Sequence, residues 1–162
     1  MSTQAALVDP RARAQHALDV AYRHLSRRDR TVAELRRYLE HRRVDPDTIA
    51  TTLAELCERG YLDDARYART FAEDRRNLDG WGAERIRRRL EQSGVAGAAI
   101  EAALEVQGRD EELRAALNVL QTRLATPPDD DRGRERALGM LVRRGYELDL
   151  AYDAVRAFER GG

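Results

Sequence analysis

The sequence predicts an all-α protein: a tandem repeat of three three-helix units, which we expect to form an elongated, curved array. Apolar positions recur every 51 residues, as at Leu39, Leu90 and Leu141, and other apolar residues stand three or four positions from each of them. Charged residues make up 36% of the chain and aromatic residues only 6%. This composition is typical of a helical protein with a large surface and is poor in the residues of an all-β core.

The repeat register divides the chain into a flexible N-terminus (residues 1–10) and three repeats (11–60, 61–108 and 109–160). The first helices of the copies are predicted at about 11–27, 64–77 and 109–125. After the first helix of repeat three, residues 126–131 contain Pro127, Pro128 and three aspartates, which indicates a loop and a hinge.

The second and third helices carry start signals. Thr31 and Glu34 have the spacing of a capping box, and the repeat register puts Gly82 and Gly133 at the corresponding, weaker caps. Asp45 is the predicted N-cap of the next helix in copy one, because a proline follows it at the first helical position.

The second helices also share a stop position. Arg43, Gly94 and Gly145 occupy it in the three copies. Glycine is favoured there because a chain leaving a helix commonly turns through the left-handed region.

Asp63 and Asp64 are adjacent acids that suggest two interpretations. They could bind a metal ion or act as an acid–base pair. They also directly precede an apolar-periodic helix, with Leu62 before them and Tyr67 inside the helix. That pattern favours an N-cap with a hydrophobic staple, whose acids suit the positive helix start.

No constellation for catalysis, a cofactor or a metal is evident. The three histidines and Cys57 lack the spacing of a metal site, and Cys57 follows Leu53 and Leu56 as a small core residue. No phosphate loop or nucleophile elbow occurs. We therefore predict a protein that is not an enzyme. A single cysteine, no 18-residue apolar run and no secretion signal favour the cytoplasm.

Arginine clusters on the second helices are the remaining functional signal. All 29 basic residues are arginines and the net charge is zero, which argues against binding nucleic acid by bulk charge alone. Each cluster could be the solvated face of an amphipathic helix, or part of a stripe suited to phosphates or an acidic partner. Trp81, the only tryptophan, is either a core residue or an exposed anchor. The candidate binding residues are Arg36, Arg37, Arg42, Arg43, Arg85, Arg87, Arg88, Arg89, Arg143 and Arg144.

The segment from Gly60 to Phe71, GYLDDARYARTF, resembles the signature of the RecX family of bacterial RecA regulators. In that family a glycine–aromatic–x–Asp–Asp start leads into a helix with a Tyr/Phe–Ala–x–x–Phe stripe. An arginine follows downstream, here Arg75 or Arg76, and then a Gly-x-Gly-x-x-x-Ile-x-x-x-Leu pattern. The last pattern is matched by Gly80, Gly82, Ile86 and Leu90. The resemblance runs from about residue 17 to 158, and the third copy departs from it at Ala137 and Ala151.

The resemblance implies a regulator that binds the RecA filament on single-stranded DNA and mainly inhibits its ATPase, growth and strand exchange. It implies roles in DNA recombination, DNA repair and the SOS response. The expected partners are the RecA filament and single- or double-stranded DNA, with no membrane, and the chain is expected to be a monomer. The alternative is a helical-repeat DNA-binding module that acts without RecA, which the arginine clusters would also suit.

Overall fold

The computed structural model describes residues 9–161, and within that range the chain forms nine α-helices and no strand. The all-α prediction is therefore confirmed. None of these helices is long and apolar enough to cross a membrane. In chain order they are α1 (Pro10–Leu25), α2 (Val32–His41), α3 (Pro46–Glu58), α4 (Asp64–Asp79), α5 (Ala83–Gln92), α6 (Gly97–Glu105), α7 (Arg109–Arg123), α8 (Asp131–Arg143) and α9 (Leu148–Glu159).

The helices belong to two compact units. Among the described residues, unit 1 comprises 9–67 together with 93–95, and unit 2 comprises 68–92 and 96–161. The division into repeats 11–60, 61–108 and 109–160 remains a prediction. The expected flexible N-terminus lies outside the described residues except for Asp9 and Pro10. Asp9 caps α1 by accepting a hydrogen bond from the Arg11 amide, and Pro10 is the first residue of that helix.

Unit 1 has its core where α1, α2 and α3 pack on one another. Leu35 and Leu39 of α2 are fully buried, as the repeat register predicts. The helices therefore meet along the stripes that recur three or four residues apart. The buried cluster consists of Leu18, Val20, Ala21, Leu35, Leu39, Ile49, Leu53, Leu56 and Leu62.

Unit 2 buries the corresponding positions. Ile86 and Leu90 of α5 and Ile100 of α6 are almost completely enclosed where those two helices pack. Helices α7, α8 and α9 also pack on one another. Their core consists of Ala116, Val119, Leu120, Ala137, Leu141, Tyr146, Leu150, Ala151, Ala154, Val155 and Phe158.

The predicted starts of α2 and α3 are confirmed. The Thr31 hydroxyl accepts a hydrogen bond from the Glu34 amide, and the Glu34 carboxylate accepts one from the Thr31 amide, both at 3.1 Å. The Asp45 carboxylate accepts from the amide and the hydroxyl of Thr48, at 3.0 and 2.7 Å.

The predicted cap at Gly133 is wrong. Asp130 caps α8 and accepts a hydrogen bond from the Gly133 amide at 2.6 Å. A carboxylate supplies the side-chain acceptor that glycine lacks, so the helix begins earlier, at Asp131 inside the predicted linker 126–131. At the other ends, α1 and α7 each stop two residues before the predicted boundaries at 27 and 125.

The shared stop position is left-handed in every copy, as predicted. The φ angles are 60° at Arg43, 80° at Gly94 and 93° at Gly145. A Cβ atom at Gly94 would lie 2.4 Å from the Cβ of Ala33, and one at Gly145 would lie 2.4 Å from the backbone nitrogen of Arg85. Glycine is therefore required at these two positions by close packing as well as by backbone conformation.

The prediction of Cys57 as a core residue is wrong, because its side chain is exposed. The buried face of α3 includes Ile49, Leu53 and Leu56. One residue beyond Leu56, the helix has turned by about 100°, which carries Cys57 off that face.

Candidate interaction surface

The start of α5 is held by backbone and side-chain groups that are distant in sequence. The Gly82 amide donates to the Arg144 carbonyl at 2.8 Å, and the Glu84 amide donates to the Gly145 carbonyl at 2.9 Å. The intervening Ala83 amide donates to the Glu112 carboxylate at 3.0 Å. These partners satisfy amides that an isolated helix leaves without an acceptor, and they join α5 to the last turn of α8.

Trp81 stands at this junction and is half-buried. Its ring packs edge-to-face against Phe71 with 6.2 Å between centroids. The Arg85 guanidinium lies over the indole, 4.1 Å from the ring centroid, and Arg75 lies at 5.7 Å. Of the two predicted roles, the structure shows a part of each: Trp81 packs on Phe71 inside unit 2 and keeps part of its surface exposed.

Two adjoining concavities meet at Trp81 and Arg85. One, of about 440 Å³, is lined by α5, and the other, of about 450 Å³, reaches α7 and α8. The carboxylate of Asp79 is already paired with Arg75 at 2.5 Å. We call this region the Trp81 surface; it consists of Trp81, Arg85, Arg88, Arg89, Arg123, Arg143 and Arg144.

Three of these arginines, Arg85, Arg88 and Arg143, are exposed and are not paired with an acidic side chain of the described residues. Guanidinium groups next to an accessible indole suit a partner that carries carboxylates or phosphates, because they can donate paired hydrogen bonds and stack on planar groups.

Two predicted residues have structural partners instead. Arg87 is paired with Glu84 and with Glu101 of α6, the latter at 2.9 Å. The hydrogen bond from Arg87 holds the pKa of the Glu101 carboxyl below its usual value. Arg144 donates to the carbonyl of Asp79 at 2.5 Å, which ties α8 to the end of α4.

In unit 1 the predicted residues fall into two groups. Arg36 and Arg37 are exposed on α2. Arg42 and Arg43 lie at the end of that helix, beside a groove that also contains arginines of α1. The structure places Arg42 and Arg43 together and leaves Arg36 and Arg37 outside this groove.

Asp63 and Asp64 accept hydrogen bonds at the starts of two different helices. Asp63 caps α4 by accepting a hydrogen bond from the Arg66 amide at 2.9 Å, as predicted. Asp64 instead accepts from the Val32 amide at the start of α2, also at 2.9 Å. Burial raises the pKa of Asp64 above its usual value. Within residues 9–161, no group of three or more histidine, cysteine, aspartate or glutamate side chains is arranged to hold a metal ion.

Sequence reasoning missed Arg123 at the Trp81 surface and Arg13 and Arg23 beside Arg42. All three lie on α1 or α7, which are the first helices of copies one and three, where the 51-residue register is weakest. A basic residue on such a helix has no local signal that pairs it with a distant turn.

Family models match two segments. Residues 17–56 match the first three-helix domain of RecX and residues 63–104 match the second. The regulatory protein RecX of Mycolicibacterium smegmatis is 34% identical over 153 residues, which cover 91% of this chain and 81% of that protein. RecX of Halorhodospira halophila is 36% identical over 140 residues, or 86% of each chain. The crystal structure of RecX from Lactobacillus salivarius has a TM-score of 0.83 at 17% identity, covering 91% of this chain and 97% of that one.

Proposed function

This chain belongs to the RecX family of regulatory proteins, and from that premise we propose that it binds the RecA filament on single-stranded DNA. In doing so it limits ATP hydrolysis, filament growth and strand exchange. The resemblance of the segment from Gly60 to Phe71 supplies the target, and the Trp81 surface is the structural observation that supports contact with an acidic partner.

The Trp81 surface supports a contact role through charge and shape. Its arginines outnumber its acids, and its one tryptophan packs on Phe71 and also lines both concavities. Tryptophan and arginine are the side chains that most often dominate binding at protein interfaces. We assign the same role to the exposed arginines Arg36, Arg37, Arg42 and Arg43 of unit 1.

A non-catalytic, cytoplasmic monomer of three repeats is part of the same proposal. The relatives are named regulatory proteins. In such a mode the protein acts by occupying a surface of the filament, so every effect should depend on its concentration relative to RecA and reverse on its removal.

The test is RecA ATP hydrolysis and strand exchange on single-stranded DNA with increasing amounts of this protein. We expect inhibition at or below one molecule per RecA protomer. The variant with Arg85, Arg88 and Arg89 changed to glutamate should need at least about tenfold more protein, because reversed charges repel an acidic partner. The matched control reverses Arg132, Arg156 and Arg160, which are exposed in the same unit outside the Trp81 surface.

Loss of helical content or of thermal stability in the charge variant would invalidate the comparison, so both are measured by circular dichroism. The proposal is wrong if the native protein changes neither activity and does not co-sediment with the filament. Equal inhibition by the two triple variants would instead remove the Trp81 surface from the contact.

A second candidate function is DNA binding without RecA. The half-buried Trp81 beside exposed arginines favours it, since aromatic side chains and positive charges are how single-stranded nucleic acid is commonly bound. It predicts binding of a labelled oligonucleotide in the absence of RecA, with affinity that falls steeply with salt. No binding at low salt would exclude this function and leave the RecA proposal intact.

A further inference from the structure

Unit 1 has a groove lined by more positively charged than negatively charged side chains. It lies between α1 and the turn joining α2 to α3, with a volume of about 750 Å³. Four arginines and one aspartate line it, so the positively charged groups of these five side chains outnumber the negative by three. The arginines are Arg13 and Arg23 from α1 and Arg42 and Arg43 from the turn.

The contacts of two of these guanidinium groups are with an aromatic ring and a backbone carbonyl, not with carboxylates. Arg42 lies 5.6 Å from the centroid of the Tyr38 ring, and Arg23 donates through Nε to a backbone carbonyl of its own helix. Among the described residues, none of the four arginines forms an ion pair. The carboxylate in the groove, Asp45, is occupied by the amide and hydroxyl of Thr48. Hydrogen-bond donors for an outside anion are therefore in place.

Arg43 has a backbone conformation that its side chain disfavours. It is the one non-glycine residue with positive φ between residues 9 and 161, at the position held by Gly94 and Gly145 in the other copies. A left-handed residue other than glycine is strained, and such strain is commonly retained where the side chain has a function. Glycine would relieve the strain, so folding alone does not account for an arginine at this turn.

The rest of the lining distinguishes between classes of anion. Ala12 is exposed and Val44 is half-buried along the groove, so part of the surface is apolar. His16 is the one aromatic side chain in the lining, which contains no tyrosine, tryptophan or phenylalanine on which a base could stack. Carboxylates combined with small apolar side chains match this surface better than a nucleic acid does.

We propose that this groove binds an acidic peptide segment, whose carboxylates pair with Arg13, Arg42 and Arg43 while an aliphatic side chain contacts Ala12 and Val44. The proposal deepens the proposed function, because Arg42 and Arg43 belong to its contact set. Peptide binding is nevertheless measured without RecA, so either proposal can fail alone.

The test is fluorescence anisotropy of the full-length protein with a labelled synthetic peptide of about 12 residues containing glutamates and leucines. A second peptide replaces every glutamate with glutamine, and a labelled oligothymidylate is the nucleic-acid probe. We expect the glutamate peptide to bind at least about tenfold more tightly than the glutamine peptide. Equal binding of the two peptides overturns the proposal, as does binding of the oligothymidylate alone.

Variants separate a binding role from a structural one. Arg43→Gly should weaken binding of the glutamate peptide about fivefold or more. The melting temperature of this variant should stay the same or rise, because glycine relieves the left-handed strain. Arg13→Gln, on a helix with ordinary geometry, should weaken binding of this peptide similarly. Arg27→Gln, an exposed arginine of unit 1 outside the groove and outside the proposed contact set, should not. If Arg43→Gly lowers the melting temperature, or leaves peptide affinity unchanged, the proposal is wrong.

Discussion

Gly82→Ala tests how α5 is attached to α8. An alanine Cβ at this position would lie 2.5 Å from the Gly145 carbonyl carbon and oxygen and from the Tyr146 nitrogen. All three are backbone atoms that cannot rotate away, so the two segments must separate. Separation removes the hydrogen bonds from the amides of Gly82 and Glu84, at 2.8 and 2.9 Å. At about 1 kcal/mol each, their loss costs roughly 2 kcal/mol, and the displaced packing raises this to about 2–4 kcal/mol.

Gly108→Ala is the matched control. Gly108 is the N-cap of α7, with an extended backbone and nothing within 4 Å of an added Cβ. Both substitutions therefore share the ordinary cost of alanine at a helix cap, about 1 kcal/mol, and only Gly82→Ala adds the collision.

The assay is urea unfolding followed by the fluorescence of Trp81, which reports on unit 2. With a urea dependence of about 1–3 kcal/mol per molar, an added cost of about 2–4 kcal/mol should put the Gly82→Ala midpoint at least about 0.7 M below that of Gly108→Ala. Midpoints within about 0.3 M of each other would refute the reasoning, because the close approach of α5 to Gly145 would then contribute little to the free energy of unfolding.

Three further predictions concern side chains. Leu90→Ala should lower the free energy of unfolding by about 2–5 kcal/mol in the same urea assay, because the side chain is fully buried. Burial raises the pKa of Tyr146 to about 12, and its hydroxyl donates to the Gly80 carbonyl at 3.1 Å. The folded state therefore favours the neutral phenol, and stability should fall as pH rises from about 10 towards 12. Tyr146→Phe should lack that fall and cost about 1 kcal/mol near neutrality; an unchanged pH slope would contradict the assignment. Burial likewise raises the pKa of Asp64, so its negative charge opposes folding at neutral pH, an effect that disappears below about pH 4. Asp64→Asn keeps an oxygen for the Val32 amide and should be at least as stable as the native protein at pH 7. In acid the two proteins should be equally stable. Unfolding followed by circular dichroism measures this at both pH values, and an Asp64→Asn variant less stable than the native protein at pH 7 would contradict the prediction.

Helix starts show where sequence reasoning ends. The capping box of Thr31 and Glu34 and the cap at Asp45 were predictable because both partners lie within three residues. The cap of the Ala83 amide by Glu112 was not, because 29 residues separate them. The carboxylate of Asp64 was assigned to its own helix for the same reason, and the structure shows it at the start of α2.

For the arginine clusters as well, local sequence patterns predicted some features and not others. Sequence identified the clustering on α5 and at the end of α2, yet it could not separate Arg87, which is paired with Glu84 and Glu101, from its exposed neighbour Arg88. It also could not bring Arg123 to Trp81 or Arg13 to Arg43. These groupings depend on how helices pack, and the apolar period reports only which face of each helix is buried.

By itself, the sequence determined the helical fold class, the apolar stripes and the left-handed stop of each second helix. Each depends on residues three or four apart, where helical geometry makes the outcome local. The tertiary structure decided which arginines share a surface, which of them are neutralised, and why two stops must be glycine while the third holds Arg43. Those outcomes depend on contacts between elements distant in sequence, whose close approach no local pattern specifies.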